Sequence, residues 1–139
     1  MSTTREDGLA LVREMIPDLM DGSVDMPRGD GFAVGPGEQS LESVFGRLWT
    51  SPGLDRRSRS LVTWGVLIAL RAEEELRIHL SIAVRNGLTR QELEEVVYHA
   101  SGYTGFPAAA TAGRIGREVL DDTSTGTGLD SDADLRRRV

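Results

Sequence analysis

RAEEELRIHLSIAVRNGLTRQELEEVVYHASGYTGFP, residues Arg71–Pro107, decides the fold. Leu76, Leu80 and Ala83 recur at i, i+4 and i+7. Leu93, Val96, Val97 and Ala100 follow the same period, so two amphipathic helices are expected. The punctuation between them is specific. Asn86-Gly87 is a C-terminal stop, with Gly87 free to take the left-handed conformation. Thr89-Arg90-Gln91-Glu92 is a capping box, in which Thr89 caps and Glu92 reaches back. The stretch also holds both histidines of the chain. Glu75–His79 and His99–Tyr103 are each i, i+4 pairs, which lie on one helix face.

Outward from this stretch the chain stays helical. Asp55 suits the N-cap of a helix running through RRSRSLVTWGVLIALRA to about Arg71. Its half from Leu61 to Leu70 is almost wholly apolar, which places it centrally in a bundle or at a subunit interface. Arg56, Arg57 and Arg59 at its start oppose the helix dipole. They need solvent, an ion pair or, for Arg59, an anionic ligand. Upstream, Ser40–Thr50 reads as a short helix capped by Ser40, with Leu41, Val44, Phe45 and Leu48 inward. Residues 21–39 carry five glycines and two prolines and read as a loop, a candidate lid or oligomer arm. Residues 5–20 have helical spacing, interrupted at Pro17. Downstream, Pro107 suits the first turn of a last helix, alanine-rich, to about Leu120. Residues 122–139 lack a core face and are expected to be a disordered polar tail. No strand-period alternation occurs. The expectation is an all-α, single-domain bundle of about five to six helices over residues 1–121.

Composition narrows the function. The 139 residues carry a net charge of −6 with no basic block, which argues against nucleic-acid binding. There is no cysteine, so thiolate metal sites and thiol nucleophiles are excluded. The N-terminus lacks the apolar core of a signal peptide, and no apolar run approaches the ~18 residues that span a membrane. A cytoplasmic protein without membrane contact is expected. A chain this size buries only about two-thirds of its unfolded surface alone, so its apolar helices favour a homo-oligomer.

The histidines carry the chemistry. On the helical wheel His79 and Glu75 flank the Leu76–Leu80–Ala83 stripe. A histidine at such a border is partly desolvated, which lowers its pKa unless a carboxylate opposes this. Glu75 is placed to do so, giving an oriented imidazole near neutral pH suited to acid/base work. The alternative is a structural histidine beside an incidental surface glutamate. Tyr103 can donate to a developing oxyanion or bury its ring with the hydroxyl paired. Glu75, His79 and His99 can supply three metal ligands, but no H-x-x-x-H or E-x-x-H pair accompanies them. Neither metal nor cofactor is expected.

Several ordered blocks then agree in residue and spacing. They are Trp49-x-x-Pro52-Gly53-Leu54, Arg59-Ser60-Leu61-Val62-Thr63, Glu75-Leu76-x-x-His79, Asn86-Gly87-x-Thr89-x-x-Glu92-Leu93 and His99-x-x-x-Tyr103-x-Gly105-x-Pro107-Ala108. Over roughly residues 45–120 the chain resembles the carboxymuconolactone decarboxylase family. The resemblance implies an alkylhydroperoxidase-like all-α fold and a homo-oligomer, a hexamer or trimer. It also implies cofactor-free decarboxylation of a lactone carboxylic acid in aromatic catabolism. The peroxidase branch has a C-x-x-C pair where this chain has Ala72 and Glu75, so that chemistry is closed to it. Two departures concern the substrate. Arg47 stands where the decarboxylases usually carry a glutamate, two residues before Trp49, and the N-terminal segment is glycine-rich.

The expected site follows from these readings. Arg59 orients a substrate carboxylate, with Arg47 and Trp49 as further substrate-binding residues. His79, held by Glu75, is the general acid, and His99 or Tyr103 donates to the oxyanion. The competing classes are another acid/base reaction on this fold (isomerisation, cyclisation or dehydration of an aromatic or polyketide-type intermediate) and a non-catalytic small-molecule binder.

Overall fold

A computed structural model describes residues 1–21, 30–121, 133, 136 and 137. Among them are seven α-helices and one π-helical segment, with no strand. The all-α expectation holds, with more helices than expected. The chain divides into two compact units, Met1–Asp55 and Arg56–Val139.

The first unit comprises α1 (Thr4–Met15), α2 (Pro17–Asp21), α3 (Val34–Ser40) and a π-helix (Leu41–Leu48). A capping box starts α1: the Glu6 amide donates to Thr3 Oγ1 at 3.2 Å and the Thr3 amide to Glu6 Oε2 at 2.7 Å. Pro17 cannot continue α1 and instead opens α2, with the break at Ile16. Helix α1 packs on the π-helix through two glycines. A Cβ on Gly8 would sit 2.0 Å from the Leu41 carbonyl oxygen, and one on Gly46 would sit 2.1 Å from that of Thr4. Both positions therefore exclude every side chain.

Three expectations fail in this unit. Residues 34–39 of the supposed loop are helical, and Ser40 is the last residue of α3, with helical dihedrals and no side-chain cap bond. The inward face is also rotated. Val44 and Leu48 are exposed and Phe45 is half-buried; Leu41 is buried as expected, joined by Gly46 and Trp49. The cause is the wider winding: the Trp49 amide donates to the Val44 carbonyl, five residues back, at 2.9 Å. A wheel drawn at 3.6 residues per turn then assigns the wrong face. Residues 22–29 of the lid-or-arm segment lie outside the described residues, as does the 122–139 tail apart from residues 133, 136 and 137.

The second unit is a four-helix bundle: α4 (Arg56–Leu70), α5 (Glu73–Arg85), α6 (Arg90–Thr104) and α7 (Phe106–Asp121). The boundaries obey the local signals. Helix α4 begins directly after Asp55. It ends on Arg71, held left-handed at φ 54°, with the Ala72 amide donating to the Leu67 carbonyl. Gly87 has φ 98°, and the capping box at Thr89 and Glu92 forms with both hydrogen bonds.

Polar ties give the helix directions. Asn86 donates to Ser60 at 3.0 Å, so α4 and α5 run antiparallel. Arg57 pairs with Glu92, joining the starts of α4 and α6. Arg114–Glu73 and Arg77–Glu118 run α5 alongside α7. Helices α4 and α7 each pack against both α5 and α6, which leaves α5 and α6 across the diagonal. Trp64, Ile68, Leu76, Leu80 and Ile115 fill the centre. Full burial of each aliphatic among them stabilises the bundle by about 1.5–3 kcal/mol relative to exposure. No helix among the described residues is long and apolar enough to cross a membrane.

Candidate active site

Helix α5 fixes His79 by burying its neighbours. Leu76 and Leu80 are fully enclosed, and the ring between them sits at the edge of that stripe. Its side chain retains 13% exposure, against 56% for Glu75. Desolvation pushes the imidazole down to about 4. Glu75 Oε2 lies 3.8 Å from His79 Nε2, too far for a hydrogen bond and largely in water. The expectation of a carboxylate-supported imidazole near neutral pH is thus corrected. Burial dominates, and His79 is neutral at pH 7. A neutral imidazole carries one donor and one acceptor nitrogen.

The other pair behaves differently. His99 and Tyr103 stack with centroids 5.2 Å apart at a 38° tilt, as the i, i+4 spacing implies. Both side chains are exposed, Tyr103 at 83%. They stand on α6, across the bundle from α5, so the two pairs do not converge within one protomer. Arg59 is half-buried on the first turn of α4. The Ser60–Asn86 bond sets it near the far end of α5. Seven residues separate Asn86 from His79, roughly 10 Å along a helix axis. Arg59 therefore stands toward the Asn86 end of α5. Of the arginine cluster, Arg57 is taken up by Glu92. Arg47, in the first unit, is exposed and pairs with Glu42 at 3.2 Å, and Trp49 is buried.

An open groove of about 480 Å³ lies between α6 and α7. Trp64 and Leu80 form its floor. Leu93, Val97, Ala109 and Ala112 line its walls, and Tyr98 and Phe106 stand at its edge. None of His79, Glu75, His99, Tyr103 or Arg59 lines it. Sequence reading missed this feature. The signal available was the pairing of Gly113 and Gly116 on one face of α7. No group of three or more metal-ligating side chains clusters among the described residues.

Comparison with known proteins fits this bundle. The chain is 47% identical over 79 residues to a 4-carboxymuconolactone decarboxylase of Acinetobacter baylyi, covering 57% of this chain and 59% of that protein. It is 39% identical over 88 residues to a nitrosuccinic acid decarboxylase of Metarhizium robertsii, covering 63% and 62%. An uncharacterized 15.0 kDa protein of Paracoccus denitrificans is 33% identical over 81 residues, covering 57% and 60%. The matches thus span about 60% of the length of these relatives. A profile of the carboxymuconolactone decarboxylase family matches residues 39–118, well over half of the chain. The chain belongs to the carboxymuconolactone decarboxylase family.

Proposed function

We propose that the protein is a cofactor-independent, decarboxylase-type carbon–carbon lyase. It acts in the cytoplasm on a lactone or related small carboxylic acid. The carrying observation is His79: a nearly buried and neutral imidazole in the family's matched Glu75-Leu76-x-x-His79 block. Two relatives whose names specify different acids are both decarboxylases, which favours loss of carbon dioxide over other acid/base reactions.

In the reaction the bond to the carboxylate carbon breaks and its electron pair moves into an electron-accepting group of the substrate. Carbon dioxide leaves, and a proton is then delivered to carbon. His79 is neutral in the free chain and so is not ready to act as an acid. A substrate carboxylate arriving beside it stabilises the imidazolium and raises its pKa. Proton uptake is thereby coupled to binding, and His79 becomes the proton donor only when substrate is present. Arg59 orients the carboxylate. The acceptor group takes hydrogen bonds from donors that a neighbouring copy brings. His99 and Tyr103, exposed on the opposite side of the bundle, are candidates for that role in a hexamer or trimer. The exposed apolar face of α4, with Val62, Val66 and Leu70, is the surface such an assembly would cover.

A second reading is a different proton transfer on the same fold, such as isomerisation, cyclisation or dehydration. Arg47 favours it, standing where the decarboxylases usually carry a carboxylate. The deciding experiment incubates the protein with carboxymuconolactone and with nitrosuccinic acid and measures carbon dioxide. Release that is lost in His79→Ala supports the lyase reading. A folded oligomer that turns over neither acid leaves the second reading in its place.

A further inference from the structure

We propose that a second copy of this chain docks on the exposed face of α4, antiparallel about a twofold axis, and that the partner's Arg59 thereby serves the His79 site. The docking stands on the bundle alone. The role of Arg59 rests on the lyase reading of His79.

The surface is a stripe on α4. Arg59, Val62, Val66 and Leu70 recur at i, i+3, i+7 and i+11, so they share one helix face. Val62, Val66 and Leu70 are 59%, 50% and 68% exposed, although the opposite face of α4 already carries Trp64 and Ile68 into the core. A helix apolar on both faces has a second surface to cover. A like stripe on another copy removes three large aliphatic side chains from water on each side.

Charge selects the occupant and its direction. The first turn of α4 holds Arg56, Arg57 and Arg59 and no acid. The first turn of α5, which follows α4 after Arg71 and Ala72, holds Glu73, Glu74 and Glu75. The apolar stripe is thus basic at one end and acidic at the other. A parallel neighbour sets like charges side by side. An antiparallel copy of the same chain sets arginines against glutamates at both ends at once, as a twofold axis requires. The partner's carboxylates also offset the cations that oppose the α4 dipole. The stripe is centred on Val66. Val66 therefore faces its own copy, Val62 faces Leu70, and Arg59 faces the start of α5 in the other chain.

The His79 site borders that stripe. Glu75, His79 and Asn86 recur at i, i+4 and i+11 on one line of α5, and the Asn86–Ser60 bond turns that line toward α4. Within one chain the same bond sets Arg59 beside Asn86, eleven residues of α5 from Glu75, or roughly 16 Å along the axis. The antiparallel copy brings the partner's Arg59 to the Glu75 end instead. A substrate carboxylate lying against His79 then meets a guanidinium from the second copy. Each site takes Glu75 and His79 from one chain and Arg59 from the other.

The test exploits the absence of cysteine. Full-length chains carrying one thiol each are mixed in pairs and treated with a short bismaleimide, so every bridge joins two copies. Val66→Cys is expected to bridge to itself, Val62→Cys to Leu70→Cys, and Arg59→Cys to Glu75→Cys. Self-bridging of Val62→Cys and of Leu70→Cys in place of the mixed product would show a parallel pair and overturn the docking. So would the absence of any bridge at these α4 positions. The role of Arg59 is read by complementation, with differently tagged His79→Ala and Arg59→Ala chains coexpressed and the mixed pair purified. One of its two sites is complete when Arg59 acts across the axis. The mixed pair should then show about half of the wild-type rate, while each parent stays at least about tenfold below it. A mixed pair as inactive as its parents overturns the role of the partner's Arg59. A wild type that releases no carbon dioxide defeats the lyase reading instead, and the Arg59–Glu75 bridge still decides whether the partner's Arg59 reaches the site.

Discussion

His79 on α5 and His99 on α6 each stand one helical turn from a polar partner, yet the bundle gives them opposite surroundings. His79 borders the core between Leu76 and Leu80, and desolvation holds it neutral. His99 lies in solvent, stacked on an exposed Tyr103. The spacing that makes both look like sites fixes only which residues share a face of one helix. Which face is buried depends on the neighbouring helices. The physical lesson is that burial, not the adjacent carboxylate, sets the state of His79.

The largest expected effect separates the two histidines directly. Removing a positioned general acid costs about 10²–10⁴ in rate, so His79→Ala should lower turnover of an active substrate by at least about a hundredfold. His99→Ala should cost less, about tenfold, because Tyr103 on the same face can still donate to the acceptor group. A wild-type rate for His99→Ala in steady-state assays would take the α6 face of a neighbouring copy out of the proposed site.

The next effect is on acid stability. The folded chain holds His79 at about 4, below its ordinary 6.5. Between these values the unfolded chain binds a proton that the folded chain refuses. The stabilisation is present in full above pH 6.5 and is lost as pH falls to about 4. It amounts to about 3 kcal/mol. Urea unfolding of the wild type should show this acid limb, and His79→Gln should flatten it. An unchanged limb in the variant would shift the cause to other groups.

Smaller effects follow on the exposed partners. Tyr103→Phe removes a hydroxyl that the bundle does not bury, so thermal stability should stay within about 0.5 kcal/mol of the wild type. Glu75→Gln should change least of all. Its carboxylate is mostly solvated and beyond hydrogen-bond reach, so the His79 midpoint followed by NMR should remain near its wild-type position. A marked fall in that midpoint would restore Glu75 as the group that tunes the imidazole.

Legibility in the sequence tracks how local the governing forces are. Gly87, the Thr89–Glu92 capping box, the start of α4 after Asp55 and the arrest at Pro17 are each decided by a few adjacent residues, and each is found where it was read. The Ser40–Thr50 segment is misread because a π-helix follows a different period, so Val44 and Leu48 turn outward. The Gly8–Gly46 contact joins two distant glycines whose role is to let backbones meet, and nothing in either local sequence announces it. At the site, the Glu75–His79 and His99–Tyr103 pairs are legible as neighbours. Their separation across the bundle is not. The groove also escaped, because its lining comes from four helices and its signature is two absent side chains.

By itself the sequence determined that the protein is all-α, where the helices of residues 56–121 begin and end, and its family likeness. These follow from periodicity, caps and ordered motif blocks, which are properties of short stretches. Only the tertiary structure decided that α5 and α6 lie on a diagonal, that His79 is neutral and His99 wet, and that a groove opens between α6 and α7. Burial and electrostatics depend on which surfaces meet, and that is set by the packing of helices distant in the chain.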